Sequence, residues 1–304
     1  MSNIPTTNLR FQSMQQLLRL LSAIRLDEVL VLQGTPLIGA ILALDSLTFA
    51  DCIRAVVFGL GSLCLVGHVF VINDWAGIDG DLRDPHRATR TFASQGVSRR
   101  AVGFLAVALL GMTLLLFALL GPVSFALALA ILGLSALYSA PVIHMKGRAI
   151  LGSGLHLVGG TLHFLLGYAT FSAIDAGSIV IGCFFGLIFA AGHLMHETRG
   201  YEGDQLNGIR TNAVAFGRMR SFVAGMILFT VAYGLLSALA LSGQLPRLLV
   251  STVVLYPVHL YASWRTMRAG LSVESLLTYQ KCYRVLYALI GAMLVGSVLF
   301  DWVS

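Results

Sequence analysis

Residues 73–81 read NDWAGIDGD, and residues 196–204 read HETRGYEGD. Counted from Asp74 and from Glu197, both stretches carry an acid at position 0, glycine at +3, an acid at +5, glycine at +6 and aspartate at +7. Six residues beyond that aspartate each copy places an arginine, Arg87 and Arg210. On a helix, residues seven apart share a face two turns on. Asp74 is therefore expected beside Asp81, and Glu197 beside Asp204, with Gly77 and Gly200 leaving the space between them open. Asp79 and Glu202, at +5, turn off that face. The pattern describes two carboxylate pairs facing one shared polar object.

The chain around these nests is hydrophobic. Of its 304 residues 57% are apolar and 11% charged, with mean hydropathy +0.83, whereas soluble domains are about 25% charged. An all-α, polytopic membrane protein is expected. Nine apolar runs are long enough to cross a bilayer: 29–46, 52–72, 101–120, 123–140, 149–171, 178–195, 221–241, 248–263 and 285–303. The first 28 residues hold no uninterrupted apolar core, which argues against a cleaved signal peptide. Phe11, Met14, Leu17, Leu18 and Leu21 instead recur at helical spacing beside Arg10 and Arg19, the pattern of an amphipathic helix lying on a membrane surface. The expected division is a cytoplasmic amphipathic segment over 1–28 and one membrane domain over 29–304.

Charge sets the expected orientation. Eighteen of the 20 lysines and arginines fall before the first run or in the even-to-odd connections, leaving Arg54 and Arg247 on the other side. The positive-inside rule then places that face, both nests and the N-terminus in the cytoplasm and the C-terminus outside. The net charge of +6 needs no nucleic-acid partner. Cys52, Cys64, Cys183 and Cys282 are scattered without CxxC spacing and read as buried apolar thiols. The nests follow runs two and six, so runs one to four and five to eight are expected to be parallel repeats about the membrane normal, with a ninth helix added.

Carboxylates on facing helices beside positive side chains suit a magnesium–diphosphate site. Mg²⁺ takes oxygen ligands, and one or two carboxylates suffice when phosphate oxygens and water complete its shell. Asp74 and Asp81 are candidates for one ion, and Glu197 and Asp204 for another. Arg87, Arg210, Arg90 and Lys146 are candidates for the remaining diphosphate oxygens. Such a site would stabilise a departing diphosphate and so ease cleavage of a carbon–oxygen bond. Ordinary surface ion pairs would explain single acids, but not a repeated seven-residue spacing. His193 and His196 make an HxxHE arrangement with Glu197 that lacks a third zinc ligand at suitable spacing. Cavity lining is the preferred reading for them, and His68, His156 and His163 lie inside apolar runs where ionisable groups tend to face the bundle interior.

The first nest resembles the NDxxDxxxD motif of the UbiA superfamily of intramembrane prenyltransferases, and the second its later aspartate-rich motif. Supporting matches are Tyr138-Ser139-Ala140-Pro141 followed by Lys146, and the run from Glu202-Gly203-Asp204 through Gly208-Ile209-Arg210-Thr211 to Val214-Ala215-Phe216-Gly217. The wording is similar to the branch holding chlorophyll synthases and homogentisate or quinone prenyltransferases. The chain departs from the pattern at Gly77, where the middle aspartate falls, and Asp79 is the extra acid available. Glu197 stands where aspartate is common, and Gly200 where some branches carry an acid.

The resemblance implies a UbiA-type bundle of nine transmembrane helices around a central cavity. It implies Mg²⁺-dependent transfer of an isoprenyl group from a prenyl diphosphate to a lipophilic, ring-containing acceptor, with release of pyrophosphate. Asn73, Asp74, Asp81, Glu197 and Asp204 would be catalytic. Arg87, Arg90, Lys146, Arg210 and Tyr138 would bind diphosphate, and Asp74, Asp79, Asp81, Glu197 and Asp204 would hold metal. Membrane lipids are the expected surroundings, and a bacterial inner membrane the expected location. A terpene cyclase of the same superfamily would use the same nests, and a transporter is the rival from another class. Acceptor, prenyl length and oligomeric state stay open.

Overall fold

The structure, a computed structural model, describes residues 16–44, 46–140 and 142–303, with side chains to residue 300. Phe11 and Met14 of the expected amphipathic segment, together with Pro141 and Ser304, lie outside the described residues. The elements in order are α1 (Leu26–Leu32), α2 (Gly34–Leu42), α3 (Phe49–Asp81), α4 (Arg99–Leu120), α5 (Pro122–Ser139), α6 (Leu151–Phe171), α7 (Ala176–Arg199), α8 (Tyr201–Leu206), α9 (Asn212–Phe216), α10 (Arg218–Leu241), α11 (Tyr256–Arg268) and α12 (Val273–Val303). Short 3₁₀ turns cover Ala88–Arg90 and Met145–Gly147, and a longer one Arg247–Leu255. Among the described residues the all-α expectation holds. The extended pairing there is one isolated bridge between Arg148 and Arg210.

Six helices are long and apolar enough to cross a membrane: α3, α4, α5, α7, α10 and α12. They make the protein an integral, multi-pass membrane protein. The expectation of nine continuous spans needs revision at two places. The first run is split at Gln33, because Pro36 has no N–H to give the carbonyl of Leu32 and the helix restarts as α2. Gln33 is buried at that joint and accepts a hydrogen bond from Ser62 Oγ at 2.6 Å. The eighth run begins as the 3₁₀ segment Arg247–Leu255 and becomes α-helical at Tyr256-Pro257. The fifth run is a continuous helix, α6, but its glycines and histidines dilute its apolar character.

Small residues let the helix axes approach closely, as they do where lipid removes any hydrophobic drive between helices. A Cβ on Gly39 would lie 2.2 Å from the carbonyl oxygen of Phe164, and one on Gly167 would lie 1.8 Å from that of Pro36. Backbone therefore meets backbone where α2 crosses α6. Gly186 allows the same approach of α7 to Leu157 and Thr161 of α6. The main apolar core lies among α2, α6, α7, α10 and α12 and includes Ile38, Phe164, Phe185, Leu236 and Ile290. Helix α3 lies along α4 and α7 along α10, as the parallel repeat requires, but α2 lies along α6 rather than along α3.

Candidate active site

Both nests end up beside one another, though by different local structure. The first stays on α3, which starts in a capping box of Thr48 and Asp51 and ends at Asp81. Asp81 is thus at the negative end of the longest helix in the chain, and the last turn there holds no basic residue. A carboxylate in that place is disfavoured by the helix dipole unless a cation stands nearby. The second nest is not one helix: α7 stops at Arg199, Gly200 leaves the helical conformation, and Asp204 belongs to the separate turn α8. Glu197 and Asp204 consequently do not form the projected two-turn pair.

Asp81 and Asp204 face each other across a cleft of about 190 Å³. Its walls also hold Asn73, Asp84, Arg87, Tyr138, His144, Lys146 and Asn207. Arg87 Nη1 donates to Asp81 Oδ1 at 3.1 Å, and its Nε lies 3.6 Å from Asp84 Oδ2. Lys146 Nζ is 3.7 Å from Asp204 Oδ1. Burial works against the Arg87 charge, but Asp81, Asp204 and Asp84 outweigh it and raise its pKa above the ordinary arginine value. Burial also raises the Asp204 carboxyl, against the pull of Lys146 and Arg87. Burial, and then Lys146, push the His144 imidazole below the ordinary histidine value.

The other sequence-nominated residues are placed elsewhere. Asp74 turns to the N-terminal side, where Arg25 Nη2 lies 2.7 Å from Oδ1. Asp79 is 73% exposed in its side chain and pairs with Arg99 at 3.4 Å. Glu197 is buried, its Oε2 accepting from Asn212 N at 3.1 Å and from Asn212 Nδ2 at 2.8 Å. Arg90 and Arg210 are exposed, and Arg210 forms the bridge to Arg148 rather than mirroring Arg87 in the cleft. Asn73 lines the cleft and accepts from Ser139 Oγ at 3.2 Å. Tyr138 packs edge-on over His156 and His193, whose rings stack with centroids 3.8 Å apart. His193 lies 3.0 Å from Glu197, whereas His196 turns to Arg199 and Gln280, so the two do not share a ligand. His68 and His163 bond to backbone carbonyls of Ala106 and Gly159.

Four residues not nominated from the sequence help build the site: Asp84, Asn207, Arg25 and Asn212. The first two had a visible signal. They occupy position +10 of the two copies, counted from Asp74 and Glu197, so the repeat extends three residues beyond its last aspartate. Asn207 Nδ2 donates to the carbonyls of Gly80 at 3.1 Å and Gly203 at 2.9 Å, joining the nests, while its buried Oδ1 has no partner.

A cleft lined by carboxylate and amide oxygens, one of them unpartnered, suits a hard divalent cation. Among the described residues no three carboxylate, imidazole or thiol groups close a cage on one point. That too is what Mg²⁺ tolerates, since water and phosphate oxygens complete its shell.

The UbiA prenyltransferase family profile matches residues 34–299. The chain belongs to this family. It is 30% identical over 179 residues to the chloroplastic chlorophyll synthase of Avena sativa, covering 56% of this chain and 47% of that one. Against the chloroplastic chlorophyll synthase of Oryza sativa subsp. japonica it is 29% identical over 162 residues, covering 51% and 43%. The chain thus spans about half the length of the curated relatives it matches. Among solved UbiA structures, a homolog from Archaeoglobus fulgidus bound to GPP and Mg²⁺ superposes with TM-score 0.70 at 17% identity, covering 91% of this chain and 99% of that one. The apo UbiA homolog from Aeropyrum pernix K1 gives TM-score 0.70 at 17% identity, covering 90% and 98%. These likenesses establish the fold.

Proposed function

We propose that the chain transfers an isoprenyl group from a prenyl diphosphate to a lipophilic, ring-containing acceptor, with Mg²⁺ and with release of pyrophosphate. The observation that carries this reading is the cleft in which Asp81 and Asp204 face Arg87 and Lys146. Acids alone would suit a metal and bases alone an anion; the two together suit a metal-bound diphosphate. The Archaeoglobus fulgidus homolog, seen with GPP and with DMAPP beside Mg²⁺, supports the donor class, and family membership supports the reaction.

Asp81 and Asp204 would hold the ion, with Asn73 beside them. Bound Mg²⁺ would neutralise charge on the diphosphate as its bond to the prenyl carbon breaks. Arg87, kept cationic by its three carboxylate neighbours, would hydrogen-bond the remaining oxygens together with Lys146. The carbon–oxygen bond would cleave with both electrons passing to the diphosphate, leaving an allylic cation; the acceptor's nucleophilic atom would bond to it and give up its proton to water or to the released pyrophosphate. Asp74 and Glu197, committed to Arg25 and Asn212, would position the nests rather than bind the ion directly. The positive-inside rule supports a cleft facing the cytoplasm, with the N-terminus inside and the C-terminus outside.

The test is turnover in lipid nanodiscs with dimethylallyl, geranyl and longer prenyl diphosphates and a panel of ring acceptors, read by pyrophosphate release and product mass. Prenylated acceptor is the expected product. A cyclic hydrocarbon or alcohol formed without acceptor would make the chain a cyclase, and no pyrophosphate from any donor would overturn the reading.

A further inference from the structure

We propose that Asp84 is a magnesium ligand of the cleft, supplying from the turn after α3 the third carboxylate that Gly77 withholds. The inference rests on the magnesium–diphosphate reading above. Gly77 lines the cleft one turn ahead of Asp81, and a Cβ there would meet nothing nearer than Asp81 Oδ2 at 3.9 Å. Helix α3 thus leaves its cleft face open at the position of the missing side chain.

Asp84 approaches the cleft from another direction. Its side chain is only 7% exposed, and a buried carboxylate is costly without a cation or a full set of donors. Oδ1 accepts from His86 N at 2.9 Å, which fixes the side-chain rotamer. Oδ2 has only Arg87 Nε at 3.6 Å, beyond good hydrogen-bond distance, while the same guanidinium serves Asp81. Three carboxylates, Asp81, Asp84 and Asp204, therefore share two cations, Arg87 and Lys146.

The opposite nest makes room for this carboxylate. A Cβ on Gly203 would lie 2.2 Å from Asp84 Oδ2 and 2.7 Å from its Cγ. Only glycine leaves the seat open, and it is the glycine at +6 of the second copy. Asn207 supplies an independent sign of a ligand. Asn207 lines the same cleft, and its Oδ1 is buried with no donor. The amide cannot be turned over to cure this, because Nδ2 already faces two carbonyl oxygens, and the flip would set oxygen against oxygen. A cation between Asp84, Asp81 and Asn207 would satisfy acceptors that protein donors leave unmatched.

The test measures Mn²⁺ binding, with and without inorganic pyrophosphate, on the full chain in nanodiscs by calorimetry and electron paramagnetic resonance. Asp84→Asn should weaken Mn²⁺ binding at least about tenfold, since the amide keeps the shape and removes the charge. Gly203→Ala should weaken it in the same sense by closing the seat. In the Gly77→Asp/Asp84→Asn double variant, affinity should recover toward wild type. Melting temperatures taken alongside separate lost binding from lost folding. Wild-type affinity in Asp84→Asn would overturn the assignment while leaving the magnesium reading intact. No Mn²⁺ binding by the unaltered chain would overturn that reading itself. Failure of the double variant to regain any affinity would refute the claim that positions 77 and 84 are alternative sources of one ligand.

Discussion

Asn212→Ala is predicted to loosen the joint between the loops on the cleft side of the bundle and so to reach the cleft without touching it. Asn212 is 5% exposed and binds three partners through its side chain. Its Oδ1 accepts from Ile150 N at 2.8 Å, and its Nδ2 donates to Glu197 Oε2 at 2.8 Å and to Ser153 Oγ at 3.1 Å. Two neutral bonds at about 1 kcal/mol each and one to a carboxylate at about 1.5–3 kcal/mol amount to roughly 3.5–5 kcal/mol. Ile150 has φ 71°, a strained conformation for a β-branched residue. Its release would offset about 1 kcal/mol of the loss, leaving roughly 3 kcal/mol net. At about 2 °C per kcal/mol for a chain of this size, the melting midpoint in nanodiscs should fall by about 6 °C. Asn212→Asp should fall as well, because it keeps the acceptor for Ile150 but sets a second carboxylate against Glu197. Both variants should raise KM for the prenyl diphosphate, since the same joint holds the Lys146 loop against Asp204. A shift below about 2 °C in Asn212→Ala, with unchanged KM, would refute this account of the joint.

Removing divalent cations with EDTA should abolish transfer and magnesium should restore it, with helicity by circular dichroism constant throughout; full turnover in excess chelator would exclude a metal at Asp81 and Asp204. Arg87→Gln should raise KM by about tenfold or more and lower kcat less, as loss of a group holding substrate and transition state alike does; an unchanged KM would remove Arg87 from the diphosphate site. Asp81→Asn should cost about 10²-fold or more in kcat/KM. Asp79→Asn, which breaks only a surface pair, should cost less than about threefold, and equal losses in the two would contradict their placement. Gly167→Ala should lower the melting temperature by forcing apart the backbones of α2 and α6, at about 1–3 kcal/mol or more; a melting temperature at or above wild type would show that the contact yields freely.

The membrane class, most helix positions and the meeting of the two nests were legible in the sequence because hydropathy and a charge-poor background make them stand out. Continuity was less legible. Nothing in an apolar run of eighteen residues distinguishes a single span from the α1–α2 pair except Pro36, whose missing donor breaks the ladder. The helical projection succeeded for Asp79, which lies off the face of Asp81, but Asp74 turns to Arg25 instead of joining Asp81 in the cleft. The projection also failed for Glu197 and Asp204, because Gly200 ends α7 between them. Arg87 and Arg210 show the limit of repeat-based inference, since identical offsets led one into the cleft and the other to a backbone bridge with Arg148. Asp84 was hidden for another reason. Its importance depends on the absence of a side chain at Gly203, 119 residues further along the chain, and no local pattern reports such a coincidence.

The length of α3 has a consequence for how substrates must arrive. Its 33 residues span about 50 Å at 1.5 Å per residue, against a hydrocarbon core of about 30 Å. If Thr48 marks one edge of that core, Asn73 through Asp81 stand roughly 8–20 Å past the other. On that placement the helix would act as a post that raises its carboxylates out of oil into the headgroup layer. On the prenyl-transfer reading, magnesium and pyrophosphate would then exchange with water without being dehydrated by lipid, while a hydrocarbon tail on the same diphosphate would still hang within reach of the bilayer. A helix this tall would let a single such molecule be held by its two incompatible ends, each in the solvent it prefers.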